Sequence, residues 1–238
     1  MSPAPRQRVF LTAEWRYLAM LNYPVDAALL ESRVPAGCEL DRFEGVTYIS
    51  LVGFLFLNTR VAGLPIPFHR NFEELNLRFY VLRREGSEIR RGVVFEQEIV
   101  PRRAVATVAR LAYQENYHAR PMRHRAVPPE VEYGVRVDDE WSRLWARTCG
   151  DAQPLCPGSK AEFIAEHYWG YCAQRNGSTI EYRVEHEPWR VWQTQGAGFE
   201  GDAEALYGRE YARVLTCPPE SAFVAEGSPV AVRTPRRL

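Results

Sequence analysis

The segment F-E-E-L-N-L-R-F-Y-V, residues 72–81, constrains this chain more than any other stretch. Leu75, Leu77 and Phe79 alternate with Glu74, Asn76, Arg78 and Tyr80, so a β-strand here has one apolar and one polar face. Gly86 follows, and then G-V-V-F-E-Q-E-I, which reads as a second strand folding back on the first. With Arg84 opposite Glu88, Tyr80 faces Gly92, Arg78 faces Val94, Asn76 faces Glu96 and Glu74 faces Glu98. One face then holds Glu74, Asn76, Arg78, Tyr80, Glu96 and Glu98. The other holds Leu75, Leu77, Phe79, Val93, Phe95 and Ile99, a core face. A polar stripe of this kind either meets water, its charges paired for solubility, or lines an enclosed ligand site. Tyr80 opposite a glycine leaves room for a ring or a ligand and favours enclosure. The residues alone leave both readings open.

The remainder predicts a single domain over residues 1–238, with an ordered core at about 9–233 and loose termini. Trp15–Leu21 reads as a strand, and Asp26 caps a short helix through Glu31. Val46–Val61 reads as one long strand bent near Gly53, followed by the proline-rich loop Gly63–Pro67. Pro101 opens a helix with Val105, Val108, Ala109 and Ala112 on one side. Met122–Val127 and Val131–Val137 are strands. The spacing of Trp141, Leu144 and Trp145 predicts a helix over Asp139–Cys149. Ser159 and Glu162 fit a capping box opening a helix from Lys160 to about Ala173. Ser178–Glu187 and Arg190–Gln195 read as a second hairpin, with a short helix near Ala203–Tyr207 and a last strand near Val230–Val232. Long strands arriving in hairpins, with helices between the groups, predict the α+β class: a mainly antiparallel curved sheet or barrel with peripheral helices.

Composition narrows the chemistry. Acidic and basic residues balance at 30 each, so no net field draws the chain to nucleic acid or anionic membrane. Lys160 is the sole lysine, which leaves one candidate for imine chemistry. The five cysteines are scattered, without a C-x-x-C pair, and the N-terminus lacks the apolar core of a signal peptide. The longest apolar run, Val46–Leu57, is too short to span a bilayer. A cytoplasmic protein without metal, cofactor, nucleic-acid or membrane partner is expected, and a homo-oligomer is compatible with the sequence. Gly196, Gly198 and Gly201 form a literal G-x-G-x-x-G, but no β-α-β unit surrounds them, so a hairpin loop is the simpler reading.

Several motifs together resemble a known family: W-R-Y-L-A-M-L-N-Y-P-V-D, L-D-R-F-E-G, F-E-E-L-N-L-R-F-Y-V, G-V-V-F, Y-H-A-R-P-M, F-I-A-E-H-Y-W-G-Y and H-E-P-W, from Trp15 to about Trp189. They are similar to the YqjF-like family, a domain of unknown function within the acetoacetate decarboxylase-like superfamily. The resemblance implies a curved antiparallel sheet closing into a cone-like barrel around a small-molecule pocket. It also implies that Glu74 occupies the place of a pocket glutamate. Where the decarboxylases carry their lysine pair this chain has Q-E-N-Y-H-A, so Tyr117 and His118 stand there and no imine can form. The expected site therefore has Glu74 as general acid or base, Tyr117 and His118 placing protons or ligand, and Arg78 holding a carboxylate or carbonyl oxygen. Asn76, Tyr80 and Glu96 complete the ligand-binding set. The expected partner is a small anionic or carbonyl-bearing molecule. Three functions follow: acid–base chemistry without a Schiff base, non-catalytic ligand binding, or a structural or interaction barrel.

Overall fold

The computed structural model describes residues 7–102, 107 and 116–238. Fifteen strands form one sheet: β1 (Val9–Val25), β2 (Glu39–Leu40), β3 (Thr47–Val61), β4 (Leu64–Pro65), β5 (Phe72–Glu85), β6 (Glu88–Val100), β7 (Tyr117–Ala119), β8 (Met122–Val127), β9 (Glu130–Val137), β10 (Glu140–Pro154), β11 (Trp169–Ala173), β12 (Thr179–His186), β13 (Arg190–Glu200), β14 (Ser221–Arg233) and β15 (Arg236–Arg237). Among the described residues helices are few and short: Lys160–Ala165, Ala203–Tyr207 and Arg209–Leu215, with 3-10 turns at Ala27–Leu29 and Glu31–Arg33. The helix expected from Pro101, with Val105, Val108, Ala109 and Ala112, lies outside the described residues.

Hydrogen bonding follows the path β12-β11-β6-β5-β3-β1-β14, and β14 then pairs back onto β12 through Val184↔Val232 and His186↔Val230. The path returns on itself. From β14 the sheet continues outward through β13, β10, β9 and β8. Most pairings are antiparallel; β6 pairs in parallel with β7 and β11. This arrangement covers both faces of the central strands. One apolar cluster joins Leu75, Leu77, Phe79 and Ile99 to Tyr133, Leu144, Leu206 and Leu215 of the extension and its helices. A second joins Tyr80, Val52, Phe54, Phe56 and Phe72 across the other face. β3 is accordingly buried from Thr47 to Phe56 without a polar-out alternation.

Several sequence expectations are corrected. Residues 139–149 are not helical but part of β10: Ser142, Leu144, Ala146 and Thr148 point inward at period two. Trp141 lies outside under Arg123, 4.3 Å from the guanidinium carbon, and Trp145 packs on Gly196 and Gly198. Two of the G-x-G-x-x-G glycines, Gly196 and Gly198, are thus in β13 rather than a loop, and Gly201 follows its end; a Cβ on Gly196 would sit 3.3 Å from the Trp145 ring, and one on Gly201 2.3 Å from Ser142 Oγ. The helix from Lys160 stops at Ala165, and Trp169–Ala173 is a strand. β12 and β13 do not form a hairpin with each other; each pairs with β14. The β5–β6 hairpin is present, its turn at Gly86 (φ +61°), but its register differs from the sequence reading.

Gly53 is fixed by packing. The Tyr133 ring crosses β3 there, its hydroxyl donating to Tyr17 O at 2.8 Å, and a Cβ at Gly53 would lie 2.5 Å from the ring. The ring is fully buried and cannot swing aside. Gly53→Ala is expected to destabilise the fold by about 1–3 kcal/mol in urea melts; a loss within experimental error would show that β3 and Tyr133 separate freely.

Candidate functional site

The polar stripe of β5 faces inward. Glu74 and Asn76 are each 2% exposed and Arg78 8%, and all three line a cavity of about 230 Å³. Its polar end also receives Glu98, Tyr117 and His167; its remaining wall is mostly apolar, including Trp15, Phe54, Phe56 and Phe95.

A β-bulge decides which side chains reach this end. The hairpin closes with Glu85↔Glu88, and the ladder shifts between Leu77 and Arg78, so that Leu77 pairs with Gln97 while Arg78 pairs with Phe95. Glu96 is the extra residue. The shift sets Asn76 opposite Glu98, Tyr80 opposite Val93 and Arg78 opposite Phe95, placing Val93 and Phe95 in the cavity wall rather than the core face expected for them. Glu96 leaves the stripe altogether. It accepts from Arg33 Nη1 at 2.7 Å, and burial raises its carboxyl above the usual range despite Arg33.

Among the described residues Glu74 accepts from Asn76 Nδ2 at Oε1 and from the Tyr117 hydroxyl at Oε2, both at 3.1 Å. Tyr117 arrives because β7 pairs alongside β6, with Glu98↔Tyr117. His118, its neighbour, points the other way. It is exposed, bonded through Nε2 to Asn116 Oδ1 at 2.9 Å, and does not line the cavity. Tyr80 lies on the stripe but not on the cavity wall. Its hydroxyl bonds to Ser50 Oγ at 2.5 Å, and Ser50 donates onward to Asn22. The structure therefore brings together Glu74, Asn76, Arg78 and Tyr117, and leaves Glu96, His118 and Tyr80 outside the cavity.

Arg78 is the most unusual member. Its Nη2 donates to Ile164 O at 3.1 Å, at the end of the Lys160–Ala165 helix, while Nε has no hydrogen-bond partner among the described residues. Nor does any carboxylate among them lie within ion-pair distance of Arg78, in contrast to Arg90, Arg91 and Arg236. A buried cation without a counter-ion is costly, and a bound anion would relieve it. Asn76 Oδ1 also has no hydrogen-bond partner among the described residues.

His167 completes the polar end, and sequence reasoning did not assign it a role. It lies within the F-I-A-E-H-Y-W-G-Y motif, which carries no role for it; its place becomes visible only once the chain after the short helix turns back under β5. It lies between Tyr80 and Phe163, ring centroids at 4.7 and 5.6 Å. Its Nε2 is 3.8 Å from Asp41 Oδ2, too long for a hydrogen bond but close enough for attraction. Asp41 is itself buried and receives Arg91 Nε at 2.6 Å. Burial pushes the imidazole down to about 4, with the Arg78 and Arg91 charges adding to burial and Asp41 opposing it. His167 is therefore neutral near pH 7 and offers one donor and one acceptor. Lys160 is turned to other partners: it pairs with Glu220 and lies over the Tyr48 ring. Since it is the sole lysine, no lysine lines the cavity. Among the described residues, no group of three His, Cys, Asp or Glu could hold a metal ion.

Comparison with known proteins places this geometry. The profile of the DUF2071 family, described as an uncharacterized conserved protein, matches residues 12–229. The uncharacterized protein YqjF of Bacillus subtilis (strain 168) is 28% identical over 179 residues, which is 74% of this chain and 72% of YqjF. Among solved structures, acetoacetate decarboxylase from Legionella pneumophila superposes with a TM-score of 0.70 over 99% of this chain and 92% of that one, at 11% identity. The enduracididine biosynthesis enzyme MppR complexed with pyruvate gives 0.66 over 99% and 92%, also at 11% identity. An acetoacetate decarboxylase-like enzyme from Sphingomonas wittichii RW1 gives 0.63 over 100% and 96%, at 14% identity. At such identities the likeness is one of fold.

The buried histidine has a measurable consequence. Below its unfolded value of 6.5 the unfolded chain binds a proton that the folded protein takes up only near pH 4, so stability falls as pH falls through that window. Urea melts between pH 7 and pH 4 should show wild type losing about 3 kcal/mol more than His167→Gln. Parallel pH profiles would mean that His167 is hydrated or charged in the folded state.

Proposed function

This chain belongs to the DUF2071 family, and we propose that it binds a small carboxylate- or carbonyl-bearing molecule within a cone-like barrel formed by the closed ring of strands. The observation that carries this reading is Arg78, a guanidinium buried in the cavity with no carboxylate partner among the described residues. A ligand carboxylate at Nε would supply the missing charge through a charge-assisted hydrogen bond. Asn76 would receive a hydroxyl or amide hydrogen at Oδ1. Glu74, oriented by Asn76 and Tyr117, is placed to take or give a proton at a carbon or oxygen next to that head group. Neutral His167 can pass a proton on the opposite side. The chemistry that suits this set is hydration, dehydration, isomerisation or a related proton transfer. An imine mechanism is disfavoured because the one lysine is engaged by Glu220 away from the cavity. That a fold neighbour is complexed with pyruvate supports a ligand of this class. None of the five cysteines forms a disulfide, which supports the cytoplasm as the compartment.

Arg78→Met tests the reading on two axes. Removing an uncompensated buried charge should leave the ligand-free protein as stable as wild type or more so. It should also abolish the thermal response to carboxylates, which in wild type amounts to about 2.7 kcal/mol at a hundred times the dissociation constant, a shift of a few degrees. Glu74→Gln should retain that response and lose any turnover. A marked loss of stability in Arg78→Met with the ligand response intact would make Arg78 a structural residue and overturn the assignment.

A further inference from the structure

We infer that the ligand is amphipathic: a monocarboxylic or oxo acid whose apolar tail, on the order of six carbons, runs along the aromatic wall away from Arg78. This rests on the anion site proposed at Arg78 and specifies what lies beyond it. Most of the cavity's polar groups lie together on β5 and the elements against it, at Glu74, Asn76, Arg78, Glu98, Tyr117 and His167, while Thr59, His69 and Tyr182 are scattered along the rest of the lining. From there the wall follows β3 outward through Val52, Phe54 and Phe56 to Val61, roughly 30 Å of strand at about 3.3 Å per residue. Trp15 meets Phe54 and Phe56 edge-on, at centroid distances of 5.4 and 5.8 Å, and Phe56 stacks on Phe72 at 4.7 Å. Val184 and Val232, paired across the β12–β14 closure, complete the far side.

The size of the cavity argues in the same direction. Its volume of about 230 Å³ corresponds to on the order of eight water-sized atoms at roughly 30 Å³ each. Acetate or pyruvate would occupy the polar end and leave the aromatic wall against empty space or unfavourably placed water. A sugar or nucleotide, polar along its length, would bury most of its hydroxyls against phenyl rings, with few polar groups such as Thr59 and Tyr182 among the described residues to bond them. The outer end reinforces the assignment. Ile66 and His69 line the cavity there, and they flank Phe68, which is 88% exposed with φ +63°. An apolar tail would thus meet apolar side chains along its route into the cavity.

Calorimetric titration of the full-length protein with straight-chain acids from acetate to dodecanoate, with pyruvate, and with the matching primary alcohols decides the matter. Affinity for the acids should rise about fourfold per methylene until the cavity is filled and then level off. In Val184→Phe the plateau should come at a shorter chain, and in Arg78→Met the acids should lose at least about tenfold of their advantage over the alcohols. Equal affinity for acetate, pyruvate and octanoate would overturn the amphipathic ligand while leaving the anion site standing. Acids and alcohols rising together, unaffected by Arg78→Met, would overturn the anion site while leaving the apolar track standing. No binding by any probe would overturn both. The wild-type series is decisive even where Val184→Phe fails to fold.

Discussion

The Arg78 guanidinium sits at the inner end of the cavity, tied to the protein by Nη2 on Ile164 O and to no carboxylate among the described residues. Holding a cation there is unfavourable, and it persists because the surrounding elements leave it nowhere else to go. β5 is central in the ring, with β3 on one side and β6 on the other. The Lys160–Ala165 helix closes the end with Phe163 and Ile164, both buried. The positive charge also reaches its surroundings: it helps keep His167 neutral.

Much of this was legible from the alternation of residues 72–81, because period two fixes which side chains share a face whatever the fold around them. Which face was enclosed was not legible, since that depends on β12 returning to β14 more than a hundred residues later. The placement of Glu96 failed for a local reason. V-V-F-E-Q-E-I pairs plausibly in either register, and a bulge that sets two residues against one leaves no mark in such a sequence. Tyr117 beside Glu74 was anticipated from the family resemblance; His118 was not separable from it, because adjacent residues in a strand point to opposite sides. In β10, Trp141, Leu144 and Trp145 imitate a helical stripe, while the informative signal was the smaller set Ser142, Leu144, Ala146 and Thr148. The tryptophans that misled the reading sit on the outer face, one under Arg123 and one on two glycines.

The fold likeness and the chemistry separate cleanly here. The solved neighbours include acetoacetate decarboxylases at 11% identity, and the overall path of the chain matches theirs. A shared fold provides an enclosed wall with one polar strand; the side chains on that strand set the reaction. In this chain they are a glutamate bonded by Asn76 and Tyr117, an arginine with no carboxylate partner among the described residues and a tyrosine, with a neutral histidine opposite. That set suits recognition of a carboxylate and movement of a proton beside it.

The most direct test is a crystal structure of the protein with hexanoate at saturating concentration. The account predicts the carboxylate within about 3 Å of Arg78 Nε, Glu74 still bonded to Asn76 and Tyr117, and the alkyl chain along Trp15, Phe54 and Phe56. Density for the acid elsewhere, with Arg78 turned onto Glu74 or Glu98 as an internal ion pair, would contradict it.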